Sequence, residues 1–207
     1  MTRALHLKAG ARAMLLVLAG GAAAIAAPYA QSQTVLATPT VFAAQEAPAA
    51  KEKNPPGDIP DDQVFVAYAS PLGFSLQVPE GWARSDAAEG VTFADKYGQI
   101  SAGVKPASGP LTLASVRANE AAELEKTGHA VKISGVSAVT LPAGAAVKIV
   151  YSANSEANPV TGKKIRLECE RFLLRHGDKV ATLTFSSPAG ADNVDQWVLI
   201  SQSFAWQ

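Results

Sequence analysis

The stretch GFSLQVPEGW, residues 73–82, decides the fold of this chain. Alternation places Phe74, Leu76 and Val78 on one face of an extended segment, which is the two-residue period of a β-strand. The PEG that follows is typical of a turn, because proline fixes one backbone dihedral and glycine permits a positive φ. We therefore predict a strand, a reversal of the chain, and Trp82 covering the end of a sheet.

Several other short segments are predicted as strands. An aromatic-rich strand precedes this stretch over residues 65–70, and two strands joined by a KYG turn begin at Val91 and Gln99. Four more strand candidates begin at Val131, Ala146, Lys164 and Val180. Because the links have hairpin length and lack crossover helices, the sheet should be mainly antiparallel.

Two segments have helical periodicity. The first covers about residues 111–127, with Thr112 as a candidate N-cap and Gly128 at its end. The second is DNVDQWVLISQSF, residues 192–204, whose apolar residues recur at three- and four-residue steps. The predicted order is four strands, helix, four strands, helix. We expect an α+β fold in which helices sandwich a central, mainly antiparallel β-sheet.

The segment KKIRLECERFLL, residues 163–174, changes its apolar phase near Glu170. A β-bulge would explain this change, and so would a strand that is covered on both faces. Cys169 falls in the apolar phase and is predicted to be a buried structural thiol. Arg166, Glu168 and Glu170 fall in the other phase and are predicted to form a solvated face with cross-strand ion pairs.

The first 30 residues have the pattern of a signal peptide. Arg3, Lys8 and Arg12 precede an apolar run of about 14 residues, which is shorter than the roughly 20 residues that span a bilayer. No cysteine follows this run closely, so a lipoprotein is not expected. We predict a protein exported to the periplasm or the medium, without a stable membrane span after cleavage.

Composition divides the remainder of the chain in two. Residues 31–63 are rich in Ala and Pro and lack periodicity, so they are predicted to be a disordered linker. Residues 64–207 have the usual size of one domain with one core. The chain has a single cysteine, which excludes an internal disulfide. Without the signal peptide the chain is slightly acidic, and no basic cluster predicts nucleic-acid binding.

In its strand, turn and core residues the chain resembles the PsbP-like family. The resemblance rests on GFSLQVPEGW, on VTFADKYGQISAGV (residues 91–104), on the helix and paired strands that follow, and on the terminal helix. That family includes an extrinsic subunit of photosystem II and many exported bacterial proteins, and a Ran-binding nuclear import factor resembles it in fold. The resemblance implies an antiparallel sheet between helical layers, and no activity.

A search for catalytic motifs finds none. The chain has no Gly-x-Ser-x-Gly sequence and no glycine-rich phosphate loop. His129 and His176 lie apart in predicted turns, which does not indicate a metal site. We therefore predict no catalytic, metal or cofactor-binding residues.

Two sets of residues are candidates for binding. The polar link SANSEANPVTG, residues 152–162, is longer than a hairpin needs, and Asn154, Glu156 and Asn158 within it could contact a partner. The same residues could offer oxygens to calcium, although the link lacks the regular ligand pattern of a calcium loop. Trp82 and Trp197 could line a pocket between helix and sheet, although ordinary core packing explains them as well.

The sequence thus favours an exported, non-enzymatic binding or adaptor module that recognises an envelope protein or a small amphiphilic ligand. One alternative is a carrier of a lipid or small molecule with a pocket between helix and sheet. The other is a hydrolase in which His129 or His176 meets a nucleophile or a carboxylate from a distant part of the chain.

Overall fold

The computed structural model describes residues 46–53 and 56–207, and the predicted signal peptide lies outside them. The strands are β1 Phe65–Ser70, β2 Phe74–Pro79, β3 Ala83–Ala87, β4 Gly90–Ala94, β5 Gln99–Pro106, β6 Lys132–Leu141, β7 Gly144–Asn154, β8 Arg166–His176, β9 Lys179–Pro188 and β10 Ala205–Trp206. The helices are α1 Leu113–Val116, a π-helical turn Arg117–Ala121, α2 Ala122–Thr127 and α3 Val194–Ser203. None of these helices is long and apolar enough to cross a membrane.

The strands form two antiparallel sheets. The large sheet has seven strands in the order β3-β4-β5-β9-β8-β7-β6, and the small sheet has three in the order β1-β2-β10. One face of the large sheet packs against α1 and α2, and the other packs against α3 and the small sheet. The predicted α+β class is confirmed. The small sheet is an addition that the alternation pattern did not predict, since periodicity does not say which strands pair.

The PEG turn joins the two sheets. Gly81 has a φ of 85°, in the region that favours glycine, and the chain leaves β2 of the small sheet to enter β3 of the large one. The turn therefore reverses the chain as predicted, but it does not close a hairpin between paired strands. All five residues of β3 are exposed, which explains why their sequence, ARSDA, has no apolar alternation.

Both faces of β8 are covered, which resolves the phase change near Glu170. The ladders that pair β8 with β7 and β9 run without a bulge. Cys169 and Leu173 pack on the helix side, whereas Phe172 and Leu174 pack on the side of the small sheet. Cys169 is only 4% exposed and unpaired, as predicted for a structural thiol.

The prediction that Arg166 lies on a solvated face is wrong. Its side chain is 7% exposed and not on a solvated face. The guanidinium donates to the backbone oxygen of Ala130 at 2.7 Å, to Asn154 Oδ1 at 3.1 Å and to Ser152 Oγ at 2.5 Å. A cross-strand ion pair does form farther along the row, between Glu170 and Lys148 at 2.5 Å.

The chain before β1 lies along one end of the large sheet. We call residues 46–53 and 56–59 the strap. It makes hydrogen bonds at Asn154, where β7 ends, and at Asn193, which precedes α3. Ile59 is buried there. These residues fall within the segment that the sequence predicts to be a linker.

Candidate functional site

A groove of about 330 Å³ lies between the first helical turns and the large sheet. Its floor is apolar and comes from α1 and the sheet, and its rim is polar and comes from the loop before α1, the π-helical turn and the strand ends. The floor residues are Leu111, Val116, Leu173 and Val180, and the rim includes Lys105, Ser108, Ser115, Asn119, Glu120 and Thr182. Small-molecule sites usually have this composition, an apolar floor with a few polar groups that converge on it.

The π-helical turn shapes one wall of the groove. It spans Arg117–Ala121 and carries Asn119 and Glu120, both of which line the groove. Val116 and Ala121 flank these residues and are buried against the sheet. Turns of this kind are rare inside helices and are frequent at functional sites. This wall has a signal in the sequence, because Glu120 falls at helical spacing within the apolar stripe of residues 111–127.

An ion pair joins this wall to the sheet. Arg171 Nη1 donates to Glu120 Oε1 at 2.6 Å, and Arg171 Nε donates to Thr184 Oγ1 at 3.0 Å. Both partners of the ion pair are about one-quarter to one-third exposed. The Glu120 carboxylate therefore points toward the sheet instead of toward bulk solvent, and it lines the groove in a fixed position.

The loop that closes the other end of the groove is also fixed. Arg175 Nη1 donates to the backbone oxygen of Gly109 at 2.7 Å, and Ala107 N donates to that of Asp178 at 2.7 Å. The helix itself begins with a capping box, in which Thr112 and Ser115 bond each other's backbone N–H groups. Lys105 stands at this end with its ammonium 3.5 Å from the exposed carboxylate of Glu89.

A second hollow of about 300 Å³ lies on the opposite face of the sheet. It is lined by Pro71, Leu72, Val104, Lys105, Pro106, Asp178 and Lys179. Lys105 and Pro106 line both hollows, so the end of β5 separates them. The second hollow has fewer apolar residues and lacks the helical wall of the first.

The three predicted loop residues occupy different environments. Asn154 is 5% exposed and bonds the strap. Glu156 is exposed and its Oε1 lies 3.0 Å from His129 Nε2. Asn158 shapes the loop tip, because its Oδ1 accepts from the backbone N–H groups of Val160 and Thr161. The structure thus brings Asn154 and Glu156 to one region, around His129 and the strap.

This loop is poorly suited to calcium. Asn154 Oδ1 accepts two hydrogen bonds, one of them from the Arg166 guanidinium, and a cation beside it would be repelled. Among the residues that the structure describes, no group of three His, Cys, Asp or Glu side chains is placed to hold a metal ion.

Both predicted tryptophans pack against the core cluster between the two sheets. Trp197 stacks on Phe185 with ring centroids 5.6 Å apart, and Trp82 lies against Gly98 at the turn between β4 and β5. Neither ring lines the groove or the second hollow. The residues that line the groove instead were missed, since they come from one helix and three strands that are distant in sequence.

The two histidines lie outside both hollows. His129 is held between Glu46 and Glu156, with its Nδ1 2.9 Å from Glu46 Oε2. Because both ring nitrogens face carboxylates, both bonds require the doubly protonated ring. The two carboxylates accordingly raise the pKa of His129, Glu46 most of all. His176 stacks on Trp206 with centroids 5.4 Å apart.

No family model matches the chain, and no curated protein matches its sequence. The fold is similar to the solution structure of a cyanobacterial PsbP from Synechocystis sp. PCC 6803, at 14% identity and a TM-score of 0.48 over 73% of this chain and 98% of that one. It is also similar to LpqN of Mycobacterium tuberculosis, which is involved in cell envelope biogenesis, at 20% identity and a TM-score of 0.44 over 70% of this chain and 90% of that one.

A third similar structure is a protein from Bacteroides thetaiotaomicron, at 14% identity and a TM-score of 0.46 over 68% of this chain. This chain spans about half the length of that protein, 48%. PsbP-like proteins are thus among the solved structures that the chain resembles, as its sequence predicted.

Proposed function

We propose that this chain is an exported, non-enzymatic binding module that takes a small anionic amphiphile into the groove between α1 and the large sheet. The observation that carries the proposal is the apolar floor under a polar rim. A hydrocarbon portion would cover Leu111 and Val180, the floor residues that are partly exposed, which removes apolar surface from water. A volume of about 330 Å³ is at the small end of the range for ligand sites.

The charges around the groove favour an anionic head group at the Lys105 end. Lys105 pairs with Glu89 at 3.5 Å, but both side chains are mostly exposed, so this pair contributes little and the Lys105 ammonium can exchange Glu89 for an anionic group of the ligand. At the other end, the negative charge of Glu120 is already neutralised by Arg171. An anionic head group beside Lys105 therefore gains an ion pair, whereas a cationic one would be repelled there.

Two further observations support the remaining parts of the proposal. The signal-peptide pattern of the first 30 residues supports export. Neither His129 nor His176 lines the groove, so the described residues give no support to the hydrolase alternative. A binding role requires no more than the groove itself.

The test uses the full chain and an anionic fluorescent amphiphile, 1-anilinonaphthalene-8-sulfonate. Val180→Trp fills the floor and should weaken probe binding at least tenfold. Val160→Trp is the matched control, because Val160 is exposed in the β7–β8 loop far from the floor residues. Equal binding by the two variants, or no binding by the unaltered chain, would overturn the proposal. Native mass spectrometry of protein from its own host would then identify the retained molecule.

A further inference from the structure

Two buried asparagines hold the strap in the same way. Asn154 Nδ2 donates to the backbone oxygen of Ala47 at 2.9 Å, and Asn154 Oδ1 accepts from the N–H of Ala49 at 2.8 Å. Asn193, which is 2% exposed, donates to the backbone oxygen of Gly57 at 3.0 Å and accepts from the N–H of Ile59 at 2.6 Å. Each carboxamide therefore bonds the C=O of one residue and the N–H of the second residue after it.

This pair of backbone groups is the one that a neighbouring β-strand would bond. In an extended segment the C=O of one residue and the N–H two residues later point to the same side. A carboxamide offers one acceptor and two donors, so it can replace the strand. A carboxamide of this kind bonds only the extended backbone, so the side chains of the bound segment can vary. The residue that donates its N–H cannot be proline.

Next to Asn154 the side chain of Glu46 is bound in addition to the backbone. Its Oε1 accepts from Asn154 Nδ2 at 2.8 Å and from Lys164 Nζ at 2.8 Å, and its Oε2 lies 2.9 Å from His129 Nδ1. Arg166 lies directly behind Asn154. A carboxylate at the N-terminal position of the bound segment thus contacts a lysine, an asparagine side chain and a histidine.

The surroundings of this site are mainly, but not wholly, basic. Lys163 pairs with Glu52 of the strap, and Lys51 of the strap pairs with Glu168 at 2.9 Å. Glu156 lies on the far side of His129. Among the described residues, no carboxylate lies within ion-pair distance of the buried Arg166 guanidinium. The charge of the site therefore complements a carboxylate at the first position of the bound segment, whereas farther along the segment it pairs with residues of either sign.

We infer that this end of the sheet is a peptide-binding site for an extended segment of a partner protein that begins with a carboxylate, and that the strap occupies the site in cis. The side chains of Ala47 and Pro48 are exposed, so next to Asn154 the site binds no strap side chain except that of Glu46. Any extended segment with a carboxylate immediately before the clamped residue can make the same bonds. The strap is then a competitor that a partner must displace.

This site is separate from the groove. None of Asn154, Lys164, Arg166 and His129 lines either hollow. The peptide-binding inference therefore does not depend on the amphiphile, and each proposal can fail without the other.

The test keeps the full chain and releases the strap by changing the strap alone. Glu46→Gln with Ala49→Pro removes the carboxylate and the N–H donor, and it leaves Asn154, His129 and Lys164 intact. The probe is a fluorescein-labelled synthetic peptide with the sequence of residues 45–53. It should bind the released variant at least tenfold more tightly than it binds the unaltered chain, because the cis segment no longer competes.

Two altered peptides test the recognition itself without changing the protein fold. A peptide with Glu46→Gln, and one with Ala49→Pro, which lacks this N–H, should each bind the released variant at least tenfold more weakly. Equal binding of the three peptides, or no binding of the original peptide to the released variant, overturns the inference.

A second readout uses the unaltered chain. Millimolar unlabelled peptide should raise hydrogen exchange in residues 47–53 by displacing the strap, while exchange in β7 and β8 stays unchanged. The glutamine peptide should leave the exchange of the strap unchanged. An unlabelled original peptide that has no effect on the strap at this concentration counts against the site.

Discussion

The guanidinium of Arg171 lies 2.6 Å from the carboxylate of Glu120 and joins the π-helical turn to the middle of β8. Glu120 and Arg171 are 51 residues apart in sequence. Because the same arginine bonds Thr184 on β9, one side chain fixes the helical wall against two strands of the sheet. The width of the groove is set by this contact.

Glu120→Gln should destabilise the protein by about 1 kcal/mol, since it removes a half-buried ion pair but keeps the shape of the side chain. Glu123→Gln is the control, because its partner Lys126 is 3.8 Å away and both side chains are mostly exposed. Urea unfolding followed by circular dichroism measures both variants. Equal losses of stability in the two variants would show that the Arg171 contact stabilises the protein no more than an exposed ion pair does.

Gly103→Ala should destabilise the protein by about 1 to 3 kcal/mol, because the new methyl group overpacks a backbone contact. A Cβ at this position would lie 2.6 Å from the backbone oxygen of Glu89, which also accepts from Val104 N. Gly135→Ala provides the comparison, since nothing lies within 4 Å of its Cβ position. Thermal unfolding of the two variants should therefore differ clearly, and an unchanged Gly103→Ala protein would contradict the close approach.

Cys169 should resist thiol reagents in the native protein. Burial raises the pKa of its thiol to about 12, so almost no thiolate is present at pH 8. We expect 5,5′-dithiobis(2-nitrobenzoic acid) to react at least about a hundredfold more slowly with the folded chain than with the chain in guanidinium chloride. Rapid reaction of the native protein would mean that β8 opens on the time scale of the assay.

The attachment of the strap should depend on pH in a defined direction. Lys164 and Asn154, with a smaller part from His129, lower the pKa of Glu46 from 4.5 to about 2, so its contribution is present above pH 4.5 and is lost as the pH falls toward 2. The pKa of His129 is raised above 6.5, so its contribution is present below 6.5 and is lost as the pH rises through the raised value.

Exchange protection of residues 46–53, corrected for intrinsic rates, should therefore be highest between about pH 4.5 and 6.5 and should fall in alkaline solution. His129→Gln should remove the alkaline decrease and leave the acidic one. If the variant retains the full decrease above pH 6.5, another group controls the strap.

Much of the fold could be predicted from the periodicity of the sequence. The helix over residues 111–127 begins at the predicted cap Thr112, and the terminal helix lies within its predicted range. The assignment of strands to two sheets could not be predicted, because alternation identifies a buried face and not the strand that pairs with it. Strand β3 was missed because both of its faces are exposed.

The candidate sites were less accessible to sequence reasoning. Glu120 stands out in the sequence as a charged residue within the apolar stripe of the helix, but only the tertiary structure shows that Arg171 is its partner. Asn154 was identified as a polar residue in a long link, whereas its actual role requires the strap, which lies 105 residues earlier in the sequence. Contacts of such long range follow from the tertiary structure alone, and local patterns do not contain them.

The position of β2 has a consequence for how the chain is made. Its two neighbours are β1, which directly precedes it, and β10, which follows α3 and beside which Gln207 N also donates to the backbone oxygen of Gly73. The second neighbour of β2 thus becomes available only after the strands of the large sheet and α3 have been synthesised. The small sheet, and the core cluster that it covers, should therefore form late in folding, and deletion of residues 205–207 should leave a slow-folding, aggregation-prone chain.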